Sequence, residues 1–139
     1  LSKLIKRGWR NLIKKPQLIF NHQNISIKVH FDMHHGYGVL DKAIDLMDQK
    51  DREDFRNYVN TKTVYNPHIM FISKKEIINK YFKELFSWLS KCEKIFGFEK
   101  LKGYGQTRLY AYLAERYLSY WFEKHTNYFE WPWTFYEKN

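Results

Sequence analysis

Four residues along the apolar run from Thr107 to Phe122 could do chemistry together: Arg108, Tyr112, Glu115 and Ser119. Their spacing of i, i+4, i+7 and i+11 puts them on one face of a helix. Leu109, Leu113, Tyr117, Tyr120 and Trp121 cover most of the remainder. A carboxylate and a guanidinium on so apolar a helix are costly to bury unless they are paired. Either they form a structural ion pair, or they face a cavity where charge is used.

Two further groups carry possible chemistry. His30, Asp32, His34 and His35 are spaced closely enough to suggest a metal site, but no cysteine or further spaced ligand completes a four-ligand set, so no metal is assigned. His34 and His35 precede a glycine turn, where they could bind phosphate or hydroxyls or simply lie exposed. Asn66-Pro67-His68 places an amide and an imidazole at a loop-to-strand junction, a common position for substrate contacts; the plainer reading is an Asx-turn beside a surface histidine. There is no glycine-rich phosphate loop, no Gly-x-Ser-x-Gly and no Cys/His nucleophile arrangement. The aspartate pair separated by one residue that holds a metal diphosphate is also missing.

These residues need elements to hold them. Ser2 to Lys15 has the pattern of an amphipathic helix, with Leu4, Ile5, Trp9, Leu12 and Ile13 opposite the cations and Pro16 as its stop. Such a pattern suits either a helix lying on an anionic membrane, through Lys6, Trp9, Arg10 and Lys14, or one covering the core. Alternating Ile25, Ile27, Val29 and Phe31 suggest a strand, as do the apolar residues His68 to Ile72. Val39 to Gln49 and Asp51 to Val59 suggest short helices. Ser73-Lys74-Lys75-Glu76 fits a capping box opening a helix that runs to Phe96, with Gly97 as its stop. The tail Trp131-Pro132-Trp133-Thr134-Phe135 reads as extended. The expected class is α+β, helix-rich with few short strands: a basic amphipathic helix over 1–15, then a single domain segment over 16–139.

At 139 residues the chain is one domain's worth, or a piece of a larger one, and it begins at Leu1. Its 44% hydrophobic content is ample for a core, and the single Cys92 rules out an internal disulfide. The net charge of +9 is concentrated: Lys3, Lys6, Arg7, Arg10, Lys14, Lys15 and Lys28 stand in residues 1–31 without an acid, and the other 108 residues are close to neutral. A basic arm of this kind argues against a general nucleic-acid surface.

Tyr65-Asn66-Pro67-His68-Ile69-Met70-Phe71-Ile72-Ser73-Lys74-Lys75-Glu76, then Tyr81 and Leu85-Phe86, then Arg108 and Leu113-Ala114-Glu115-Arg116, resemble the C-terminal half of a bacterial glycosyltransferase-like family of capsule, exopolysaccharide and O-antigen clusters, catalogued as a domain of unknown function. The resemblance covers roughly residues 28–122, and the strand motif is two residues longer here, through Pro67 and His68. It implies the acceptor-side half of a nucleotide-diphospho-sugar transferase-like α/β domain. The nucleotide sugar, with a divalent metal as a further option, would belong to an N-terminal half that has no counterpart in this chain, so that this segment binds no cofactor itself.

On that resemblance Glu115 would be the base that deprotonates an acceptor hydroxyl, with Arg108 orienting it or meeting phosphate. His34, His35, Asn66, His68 and Arg116 would hold phosphate or sugar hydroxyls, and Tyr110, Tyr112 or Trp121 would stack on a sugar ring. The partners would be a nucleotide sugar and a glycan or lipid-linked acceptor, with no nucleic acid. The place would be the cytoplasmic face of the bacterial inner membrane. The competing expectation is a non-catalytic module that docks on a membrane or a partner through the basic arm.

Overall fold

Apolar side chains recur at helical spacing through most of this chain, and helices are what form. The computed structural model describes residues 1–20, 23–99 and 101–132. In chain order the α-helices are α1 (Ser2–Lys14), α2 (Ile27–His35), α3 (Val39–Asp45), α4 (Gln49–Thr61), α5 (Lys75–Phe96), α6 (Tyr104–Thr107) and α7 (Leu109–His125). A 3-10 turn, Pro16–Ile19, follows α1. No strand forms among the described residues. That overturns the α+β expectation, and with it the nucleotide-diphospho-sugar transferase-like α/β architecture.

Both expected strands fail for physical reasons. Ile27, Val29 and Phe31 alternate because α2 is packed on two sides. Ile27 and Phe31 enter the main core, while Val29 and Met33 join Leu4 of α1 in a smaller cluster. Two buried stripes on one helix mimic the period of a strand. Ser26 starts this helix, its hydroxyl accepting from the Val29 amide. The segment at His68–Ile72 is irregular, with a bend at His68, and pairs with no strand among the described residues; Phe71 tucks against Tyr81 and Phe122, and Ile72 is fully exposed.

The capping box does not form either. Lys74 is the N-cap of α5 and no side chain caps it, so Glu76 falls at the second helical position, where it still meets the positive helix end. Gly97, at φ +63°, ends α5 as expected. Of the tail, Trp131 is exposed, and Trp133 to Phe135 lie outside the described residues.

The core is aromatic and is built where α4, α5 and α7 meet. Phe55, Tyr81, Trp88, Tyr117, Tyr120 and Trp121 are buried together, several in edge-to-face pairs. Each buried indole N–H finds an acceptor: Trp88 donates to the Ala43 carbonyl at 2.7 Å and Trp121 to Glu84 at 2.6 Å. Lys124 joins α7 to the start of α4 through Asp51 and Asp54 at 3.0 and 2.6 Å. Cys92 is buried in this core, which pushes its thiol up to about 12. No helix among the described residues is long and apolar enough to cross a membrane.

Candidate functional site

The polar face of α7 meets the histidines of α2 beneath Tyr65, in the irregular segment that follows α4. The phase of α2 decides which histidines take part. His30 and His34 lie one turn apart on the same side, their rings 4.6 Å apart. Asp32 points elsewhere: its carboxylate accepts from the Gly38 amide at 3.0 Å and pairs with Lys28 at 2.8 Å, bracing the turn after α2. The imidazoles and Asp32 therefore do not converge. Among the described residues no group of three or more His, Cys, Asp or Glu is placed to hold a metal ion.

Arg116 is the hub. Only 1% exposed, it donates to Glu115 at 2.7 Å, to the Tyr112 carbonyl at 3.3 Å and to Nδ1 of His30 at 3.4 Å. The Tyr65 ring covers its guanidinium at 4.3 Å, with Phe31 on the core side. Its Nε has no partner among the described residues. So deep a cation acts on its neighbours and has no free surface for a phosphate.

Glu115 is less enclosed. Burial raises its pKa above the ordinary carboxylate value, against the pull of Arg116, Arg108 and His68. The result is a carboxylate that holds a proton more readily than an exposed one. It keeps a 16% exposed side chain through which a substrate could reach it. Arg108 stands at the N-cap of α7, exposed, its guanidinium resting over Tyr104 and Tyr112 and donating to the Tyr104 hydroxyl.

The histidines beside this pair are held neutral. Burial lowers His30 to about 4, helped by His34 and Arg116. His35 also falls to about 4 through burial, despite the opposing bond to Gly105. His34 is lowered as well, first by burial and then by Arg7, Lys3 and Arg116. As a neutral ring, His30 accepts from Arg116 on Nδ1 and so carries its proton on Nε2. His35 does the reverse, its Nδ1–H donating to the Gly105 carbonyl at 3.0 Å while its ring stacks on Tyr112 at 3.8 Å. His35 and Tyr112 are thus occupied with each other.

An open cleft of about 540 Å³ begins at His34. Arg7, Trp9 and Arg10 of α1 form one wall, the end of α2 with Tyr37 another, and Gly105 and Gln106 of α6 the third. Gly105 comes so near α2 that a Cβ there would sit 2.5 Å from the His34 carbonyl oxygen. Neutral histidine, cationic arginines, an indole and a phenol make a surface suited to an anionic or hydroxyl-rich ligand.

The structure thus gathers Glu115, Arg116, Tyr112, His34 and His35, with Arg108 and His68 near enough to act on Glu115. Asn66 stands apart and is spent on structure: its amide N–H donates to Ser119 at 2.9 Å and its side chain to Glu130 at 3.3 Å. Lys6 and Lys14 are exposed on α1; Lys14 and Arg10 lie over the Tyr37 ring. Tyr65, Tyr37, Arg7 and Gln106 were not singled out as ligand contacts from sequence, and His30 was weighed there only as a metal ligand. Reading 27–35 as a helix would have joined His30 to His34, because only that period puts them on one side.

No curated protein and no solved structure matches this chain. A family model described as a domain of unknown function, DUF4422, matches residues 3–126, from the first turn of α1 to the residue after α7. That span takes in both the ion pair and the cleft, and the chain belongs to the DUF4422 family.

Proposed function

We propose that this domain serves a glycosyltransferase, handling the acceptor while a sugar passes to it from a nucleotide sugar bound outside these residues. One observation carries the reading: the partly exposed Glu115 carboxylate, its pKa raised by burial, is fixed at 2.7 Å by buried Arg116, which also reaches His30, one of three imidazoles held neutral on α2. A base with a raised pKa suits removal of a proton from a sugar hydroxyl as its oxygen bonds to the anomeric carbon and the diphosphate leaves. Neutral imidazoles donate and accept, which fits hydroxyls better than phosphates. Arg7 and Arg10 lend the adjoining cleft positive charge. The resemblance to polysaccharide-cluster glycosyltransferases supports the same chemistry, with a glycan or lipid-linked acceptor at the cytoplasmic face of a bacterial inner membrane.

The test is sugar transfer by the complete gene product carrying these residues. Glu115→Gln keeps the shape and removes the proton acceptor, so turnover should fall by about 100-fold or more, the usual scale for a general base. The loss should appear in kcat rather than in KM. The competing view, that Glu115 serves only to neutralise Arg116, predicts near-normal turnover with a sharply lower melting temperature, since an unpaired buried cation costs roughly 3–5 kcal/mol. That result would overturn the proposal.

A further inference from the structure

We propose that α1 docks the protein on an anionic lipid bilayer. The helix is fixed to the body by one stripe only: Leu4, Gly8 and Asn11 are buried, and Leu4 packs with Val29 and Met33 of α2. Beside that stripe, and taking no part in it, Leu1, Ile5, Trp9 and Ile13 recur at i, i+4, i+8 and i+12. They are 51%, 52%, 51% and 70% exposed. Past Pro16 the chain adds Ile19 and Phe20, the latter almost fully exposed. Apolar residues at this spacing form a continuous ridge, unlike the single exposed apolar side chains normal on any surface.

The charges around the ridge say what covers it. Lys6, Arg10 and Lys14 run along its flank at the same spacing, with Lys3 and Arg7 beyond them, and no acidic residue occurs before Asp32. Among the described residues the ion-paired cations are Lys28, Lys50, Arg56, Lys62, Lys91, Arg116 and Lys124, none of them on α1. A second copy of α1 laid on the ridge would bring like charges together. A nucleic acid would satisfy the cations and leave the ridge in water. Lipid phosphates with acyl chains beneath them satisfy both at once, as for other helices that lie in the interface plane. The inference is carried by α1 and does not depend on the chemistry at Glu115.

The experiment is co-sedimentation of the 139-residue chain with vesicles of phosphatidylcholine alone or mixed with phosphatidylglycerol. Binding is expected only with the anionic vesicles. It should weaken by about tenfold or more between about 0.1 and 1 M salt, where the Debye length shrinks from about 10 to about 3 Å. Trp9→Glu and Ile13→Glu should each weaken binding by about tenfold or more with unchanged helical circular dichroism. Should either misfold, the double variant Lys6→Glu/Arg10→Glu must by itself abolish the anionic preference. Equal binding to both vesicle types, no binding, or undiminished binding by Ile13→Glu would overturn the proposal. So would a dimer of the wild-type chain that Ile13→Glu converts to monomer in sedimentation velocity.

Discussion

Glu115 and Arg116 are neighbours in sequence, and adjacent residues on a helix ordinarily face apart. Their pairing at 2.7 Å depends on the length of the guanidinium, which reaches back over Tyr112 under the lid of Tyr65. The polar face of α7 was legible as a face. The partner was not: spacing joined Glu115 to Arg108, whereas the geometry gives it Arg116 and leaves Arg108 on the tyrosines. Long-range cover by Tyr65, 51 residues upstream in number, leaves no local trace in the sequence.

The cost of keeping His30 and His35 neutral should be measurable. Their folded pKa values of about 4 lie below the ordinary 6.5. Between these values the unfolded chain binds protons that the folded chain refuses, so stability is fully present above pH 6.5 and declines as the pH falls towards about 4. Each histidine should account for on the order of 1–3 kcal/mol across that window. Glu115 acts with the opposite sign, because its raised pKa favours the folded state as acid is added, and it blunts the decline. Thermal melts from pH 7 to 4.5 should show the loss, and His30→Gln should make it shallower. A parallel pH profile for that variant would contradict this assignment.

At the scale of elements, α2 was the segment most open to misreading and the one with most consequence. As a strand it would have aligned His30, Asp32 and His34; as a helix it separates Asp32 from the imidazoles and sends it to brace Gly38. Helices α1, α3, α4, α5 and α7 were legible because their apolar periods are long or their stops are clear, Pro16 and Gly97 above all. The joint between α2 and α6 was not, since a close approach of two backbones depends on what Gly105 lacks. Gly105→Ala should push α6 off α2, with the Cβ 2.5 Å from a carbonyl oxygen that cannot rotate away. A loss of roughly 1–3 kcal/mol in denaturant unfolding is expected. An unchanged midpoint would mean that α6 moves freely and that the cleft has one wall fewer.

Across the whole molecule, the aromatic content that could have served sugar stacking goes chiefly to the core around Phe55, Tyr81, Trp88 and Tyr117. The helical class followed from that core once the apparent strands found nothing to pair with, and strand pairing is a property of two segments that neither one announces alone. One of those segments has a use as a sensor. The amides of Ile69, Met70, Phe71 and Ile72 make no backbone hydrogen bonds among the described residues, whereas those of α5 and α7 sit inside helical ladders. In deuterated solvent the four should label within seconds while the long helices report the global unfolding equilibrium. Any protein that lays a strand along Ile69–Ile72 would supply carbonyls to the alternate amides on the edge it meets, either Ile69 and Phe71 or Met70 and Ile72, and slow the labelling of that pair by orders of magnitude. Deuterium uptake at these four positions, followed while candidate proteins are added, would identify such a partner without knowledge of what the complex does.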